Sequence, residues 1–237
     1  MKILVINGSP STEGDGNTMV LTNAFLRGAG WANPEIIDVK NINIKGCRGC
    51  FGCWSYTPGD CVMDDDMANI LPKLIAADVV IWSFPLYFFG VPGELKKFID
   101  RQSPLYKPNT QGNSYGSYRT YRYDLGHQRH ILISTCSFWT HSGCYTAVTS
   151  MFRCIIGAPC PTIFCGQGGL LYLSSMADAA GMWEIKKPVD DYVEAVRLAG
   201  KEFAGGEISA ATKNRLEEPI LPKEAYEREL MASWKTP

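Results

Sequence analysis

A chain of 237 residues, 46% hydrophobic and with a net charge of −1, has room for a sizeable core in one large α/β domain or two small ones. Charge so near neutrality gives no global field to recruit nucleic acid or an anionic membrane, and no apolar run approaches the ~20 residues needed to span a bilayer. The first residues read as a strand rather than a secretory leader, so the nine cysteines are expected to be thiols or metal ligands in a cytoplasmic protein.

Ile3 to Ile6 form an unbroken apolar run that stops at Asn7-Gly8-Ser9-Pro10, the pattern of a strand buried on both faces. A loop of small and hydroxylic residues leads to a helix predicted over 17–29, where Val20, Leu21, Ala24, Phe25 and Gly28 recur at helical spacing. Residues 35–40 carry Ile36, Ile37 and Val39 as a short second strand, and 44–64 form a loop rich in cysteine and glycine. Met67, Ile70, Leu71, Leu74 and Ile75 then share one helix face. Asp64, Asp65 and Asp66 just before it are read as caps favoured by the helix dipole, in preference to a metal site.

Asp78 to Phe84 is the next buried strand; it runs into Pro85-Leu86-Tyr87-Phe88-Phe89-Gly90, and Pro92 opens a helix faced by Val91, Leu95, Phe98 and Ile99. Residues 102–128 are polar, hold five tyrosines and show no clean period, as in an insertion acting as a lid or an oligomer contact. His130 to Thr135 predicts a fourth strand ending at Cys136-Ser137-Phe138, followed by a helix over about 144–156 and a strand near 161–165. Val189, Tyr192, Val193, Val196, Ala199 and Phe203 mark a closing helix. A tail over 207–237, with a short helix around 223–231, is expected to dock on the domain 1–206 or on a neighbouring subunit.

Five apolar strands alternating with helices predict a parallel, doubly wound α/β sheet. Right-handed crossovers place every strand's C-terminal end on one edge, where ligands bind at the switch of strand order. The loops 9–18, 85–90 and 136–143 all fall there.

Within the first loop no Gly-Lys-Ser/Thr follows, which excludes a triphosphate P-loop, and glycines 8, 14 and 16 miss the G-x-G-x-x-G spacing of a dinucleotide site. Ser9, Ser11, Thr12, Asn17 and Thr18 are uncharged donors beside a helix start, suited to a phosphate monoester or to simple capping. The second loop, FPLYFFG, sets aromatic residues around a proline where a flat ring can lie. GSP…GNT after the first strand and PLYFFGVPGELKKFIDR after the third resemble the NADPH-dependent FMN reductases and related flavodoxin-fold oxidoreductases over about residues 1–165.

That resemblance implies a flavodoxin-like three-layer sandwich with a five-stranded parallel sheet in the order 2-1-3-4-5. It implies that Ser9, Ser11, Asn17 and Thr18 hold the FMN phosphate, that Pro85, Leu86, Tyr87 and Phe88 line the isoalloxazine, and that Thr135 and Cys136 close its far side. Ser11 stands where many members carry an arginine. The expected activity is electron transfer from NAD(P)H through FMN to a quinone, flavin, other small acceptor or redox protein, in a homodimer or higher homo-oligomer. The hydride chemistry belongs to the cofactor, so no catalytic acid–base pair is required.

Cys47-x2-Cys50-x2-Cys53-x7-Cys61 is compact enough for one [4Fe–4S] cubane and unlike the separated pairs of structural zinc. The run resembles that of the iron–sulfur flavoproteins, a branch of the same fold in which a cluster exchanges electrons with FMN. A free-thiol loop or a dithiol remains the alternative for this stretch. A non-enzymatic FMN-binding carrier is the third reading, disfavoured by the lack of an acidic docking field. His141 is read as a loop or capping residue, and His127 and His130 as structural.

Overall fold

The computed structural model describes residues 1–11, 16–113, 116–175 and 183–233. Thr12, one of the expected phosphate donors, lies outside the described residues. The elements run β1 (Ile3–Asn7), α1 (Asn17–Ala29), β2 (Glu35–Asp38), α2 (Gly52–Ser55), α3 (Met67–Ala76), β3 (Val79–Pro85) and α4 (Gly93–Asp100). There follow β4 (Tyr106–Asn113), β5 (Gly116–Tyr121), β6 (Arg129–Thr135), α5 (Thr146–Ile156), β7 (Thr162–Cys165), α6 (Trp183–Gly205), α7 (Ala210–Glu217) and α8 (Lys223–Ser233).

Five strands form a parallel sheet in the order β2-β1-β3-β6-β7, while β4 and β5 pair separately. Setting that hairpin aside, this is the expected 2-1-3-4-5 order. No described helix is long and apolar enough to cross a membrane.

The chain divides into two compact units. The first comprises Met1–Pro10, Asn33–Leu132 and Tyr145–Pro161. Its β1 pairs in parallel with β2 and β3, in the register Val5↔Ile36 and Ile6↔Trp82. The unbroken apolar runs of β1 and β3 follow from burial on both faces, since Val5, Ile6, Val80, Ile81 and Phe84 are all sequestered. Helix α4 turns Leu95, Phe98 and Ile99 inward. Trp82 packs edge-on to Phe98 and Phe152, and Phe84 stacks on Phe152 with centroids 5.9 Å apart. The stretch read as an unpatterned insertion contains the β4–β5 hairpin, whose Tyr106 and Tyr121 rings stack at 5.0 Å. Both hydroxyls donate to the Ile155 carbonyl, at 3.1 and 2.9 Å.

The second unit comprises Ser11–Ala32, Ile133–Cys144 and Thr162–Pro237. Here α1 crosses α6 at backbone contact: a Cβ on Gly28 would lie 1.7 Å from the Arg197 carbonyl oxygen, and one on Gly200 would lie 2.0 Å from that of Phe25. Phe25, Trp31 and Phe203 form an aromatic cluster beside the crossing. The tail adds α7, which its sparse apolar residues did not announce; Ser209 caps it by accepting the Thr212 N–H at 3.2 Å. Ile208, Leu216, Ile220, Leu221 and Tyr226 are buried. The Gln167 amide both donates to and accepts from the Leu221 backbone, each at 2.9 Å, so the tail docks on its own chain.

Candidate cofactor site

In the first unit, parallel pairing of Asn7 with Ser83 makes the loops after β1 and β3 leave the sheet on one edge. The Gly8 N–H donates to the Ser83 carbonyl at 2.7 Å, and a Cβ on Gly8 would stand 2.8 Å from the Leu95 side chain, so a larger residue there has to displace Leu95. Asn7 shapes the start of the first loop. Its amide donates to Asp38 at 2.6 Å while its carbonyl oxygen accepts the N–H of buried Ser9 at 3.0 Å.

After β3, Pro85 is half-buried and Leu86 buried, whereas Tyr87 and Phe88 are exposed, Phe88 fully at 100%. Tyr87 and Gly90 exchange both backbone hydrogen bonds at 2.9 Å across a two-residue turn. The central Phe88 and Phe89 have φ of +47° and +63°. Such a turn favours Asn-Gly, and a bulky residue in the left-handed region costs about 1–2 kcal/mol. Strain of this kind concentrates at functional sites; here it presents two aromatic rings.

In the second unit, α1 begins at Asn17 after Gly16, with no side-chain cap hydrogen bond. The N-cap residue is a glycine and brings no side chain of its own to the first N–H groups. Thr18 and Thr135, both buried, share a hydroxyl–hydroxyl hydrogen bond of 2.6 Å. Ser11 and Asn17 are half-exposed. Cys136 is buried beside Thr135; its N–H donates to the Cys165 carbonyl and its thiol lies 3.8 Å from the Gly166 carbonyl oxygen. The chain of Gly168 passes so close that a Cβ there would be 2.6 Å from that of Thr135. His141 pairs with Glu217 at 2.8 Å, which gives it a structural role in holding α7.

The cysteine loop belongs wholly to the first unit. Cys47 and Cys50 are exposed, Cys61 is half-buried and Cys53, on α2, is buried. All four line one cavity of about 40 Å³, together with Ser103 and Arg101. Burial pushes the Cys53 thiol up, and charge on the neighbouring Cys61 and Cys47 adds to this. Among the described residues, no three His, Cys, Asp or Glu side chains close on a point that would hold a single metal ion. A [4Fe–4S] cubane asks for something different, one thiolate at each of four iron corners, and four cysteines lining one cavity are the residue set that it calls for.

The segment 101–122 braces this loop. Trp54 stacks on Phe51 at 4.9 Å, carries the Arg119 guanidinium over its ring at 4.4 Å, and donates its indole N–H to the Ser103 carbonyl at 3.0 Å. Arg122 reaches the carbonyls of Pro104, Tyr106 and Cys53.

Beneath it lies an ion pair that the sequence did not reveal. Arg101 and Asp65, each with a side chain only 1% exposed, meet bidentately at 2.6 and 2.9 Å. Arg101 also donates to the Lys45 carbonyl at 2.7 Å. Burial works against its charge, but Asp65 and Cys61 outweigh that and raise its affinity for the proton. Burial likewise opposes the Asp65 carboxylate, and hydrogen bonds from Arg101, Lys45 and Met67 hold it below the usual range. Asp65 thus caps α3 through Met67 at 3.2 Å, as expected of an aspartate there, while also anchoring the cysteine loop. The available signal was spacing: Arg101, the C-cap residue of α4, follows the buried Phe98 by three.

Residues 1–121 match the family model described as NADPH-dependent FMN reductase. An iron-sulfur flavoprotein of Archaeoglobus fulgidus is 38% identical over 103 residues, 43% of this chain and 48% of that protein. One from Methanocaldococcus jannaschii is 36% identical over 107 residues, 44% of this chain and 53% of its own length. The chain spans about half the length of these curated relatives. Among solved structures, an FMN-dependent NADH-azoreductase from Bacillus anthracis in complex with FMN has a TM-score of 0.56 at 17% identity, covering 86% of this chain and 99% of that one. That likeness is one of fold.

Proposed function

Because the chain belongs to the NADPH-dependent FMN reductase family, we propose that it is an FMN-dependent oxidoreductase that takes electrons from NAD(P)H and delivers them to a quinone, flavin or other small acceptor. The observation that carries this reading is the buried Thr18–Thr135 hydroxyl pair at the start of α1, directly after the glycine N-cap. Ser9, Ser11, Thr12, Asn17 and Thr18 are assigned to the phosphate; their neutral donors and the helix N-terminus hold the dianion without a lysine or arginine. Pro85, Leu86, Tyr87 and Phe88 are assigned to the flavin ring, with Thr135 and Cys136 on its far side. FMN, when bound, supplies hydride acceptance and onward electron transfer; the residues supply orientation and hydrogen bonds. A homo-oligomer is part of the same proposal.

The double change Ser9→Ala with Thr18→Ala is expected to strip most FMN from the purified protein while circular dichroism stays native. Retention of stoichiometric FMN by that variant means the phosphate lies elsewhere. Flavin bleaching by NADPH under anaerobic conditions, and recovery on adding a quinone, checks the activity.

A second reading rests on the four cysteines lining one cavity. Cys47, Cys50, Cys53 and Cys61 would hold a [4Fe–4S] cluster, which supplies one-electron relay beside the flavin. Iron and sulfide assayed on anaerobically purified protein decide it; sub-stoichiometric iron sinks the cluster.

A further inference from the structure

We propose that Arg101 is the counter-cation of the four-cysteine cavity, and that its pairing with Asp65 sets the reduction potential of what the cysteines hold. The inference rests on the cluster reading above and concerns a residue outside the ligand set. Four thiolates around an iron–sulfur core leave a net negative charge, and each electron added deepens it. A low-dielectric surrounding magnifies any fixed charge nearby. Arg101 is that charge. Its side chain is 1% exposed, and it lines the same cavity as the four cysteines.

Its hydrogen bonds are divided in a way that suits both roles. Two go to Asp65 and one to the Lys45 carbonyl, which fixes the guanidinium plane, while Nε is buried with no hydrogen-bond partner. A buried, unpartnered N–H is costly unless it serves a ligand or a charge nearby. Asp65 is the counterweight: with it ionised the pair is neutral overall but presents its cationic member to the cavity wall. Hydrogen bonding and net charge around a cluster are the protein's main means of setting its potential.

The test uses the full chain, purified with its FMN and reconstituted anaerobically with iron and sulfide. Two variants are compared with wild type: Asp65→Asn, which leaves the cation uncompensated, and the double change Asp65→Asn with Arg101→Gln, which replaces the ion pair by a neutral one. Iron and FMN per chain are measured, and the cluster midpoint potential is followed by electron paramagnetic resonance in a redox titration. The expected result is a higher potential in Asp65→Asn and a lower one in the double variant, on opposite sides of wild type. Should Asp65→Asn fail to fold, the double variant alone must move the potential down. Equal potentials in all three proteins, or a shift of the same sign in both variants, overturn the assignment while leaving the cluster intact. A wild-type chain that keeps its FMN and takes up no iron removes the cluster reading, and the proposal with it.

Discussion

Trp82 donates its indole N–H to Nδ1 of His130 at 3.3 Å, so the imidazole must carry its own proton on Nε2 and remain neutral. Burial lowers its pKa from 6.5 to about 4. Between those values the unfolded chain binds a proton that the folded chain refuses, so stability falls as pH drops through this window and levels off below it. A loss on the order of 1–3 kcal/mol is expected from this group. Urea unfolding at pH 7 and near pH 4 measures it, and a His130→Phe variant should show a correspondingly shallower slope. Phe88 makes a contrasting case. Being fully exposed at φ +47°, it gives up no buried area when replaced. Phe88→Gly is expected to stabilise the fold by about 1 kcal/mol through relief of left-handed strain, seen as a higher melting temperature. If the ring serves the flavin, the same variant should bind FMN more weakly.

Helix α1 shows what an element can demand of single positions. Its apolar spacing was legible, and Gly28 sat on the periodic face, but nothing in the local sequence says that Arg197 will bring its carbonyl oxygen to 1.7 Å from a would-be Cβ. Gly28→Ala must therefore push α1 from α6, overpacking a backbone contact; a loss of about 3 kcal/mol or more, or failure to accumulate as soluble protein, is expected. Circular dichroism melts of the variant check this, with Gly30→Ala as the comparison: that glycine meets nothing nearby but has φ +72°, so its smaller cost is purely conformational. The β-strands and long helices could be read because burial on one or both faces imposes a period. The β4–β5 hairpin could not, since its sequence YKPNTQGN offers no alternation to detect.

For the molecule as a whole, the tail belongs to the core of the second unit. Ile208, Leu216, Ile220, Leu221 and Tyr226 are buried, and each such side chain contributes about 1.5–3 kcal/mol. Truncation after Gly206 should expose that face and leave Gln167, Trp139 and His141 without their tail partners. The expected outcome is an aggregating or strongly destabilised protein, measurable by size-exclusion chromatography and thermal melting. The site shows the same split between local and distant information. Ser9, Thr18 and the four cysteines of 47–61 stand in or beside stretches that announce themselves by composition. The Asp65–Arg101 pair joins residues 36 apart, of which Asp65 taken singly suggested a helix cap and Arg101 nothing in particular.

The clasp of Arg119 over Trp54 bears on modularity. A cysteine loop held by a hairpin from elsewhere in the chain is not a portable cassette. Grafting residues 44–64 onto another protein of this fold would transfer the cysteines without their frame, whereas moving them together with Arg101–Tyr121 would carry loop and brace as one unit. Insertions and deletions in either segment are constrained by the other, so the two are expected to be gained and lost together.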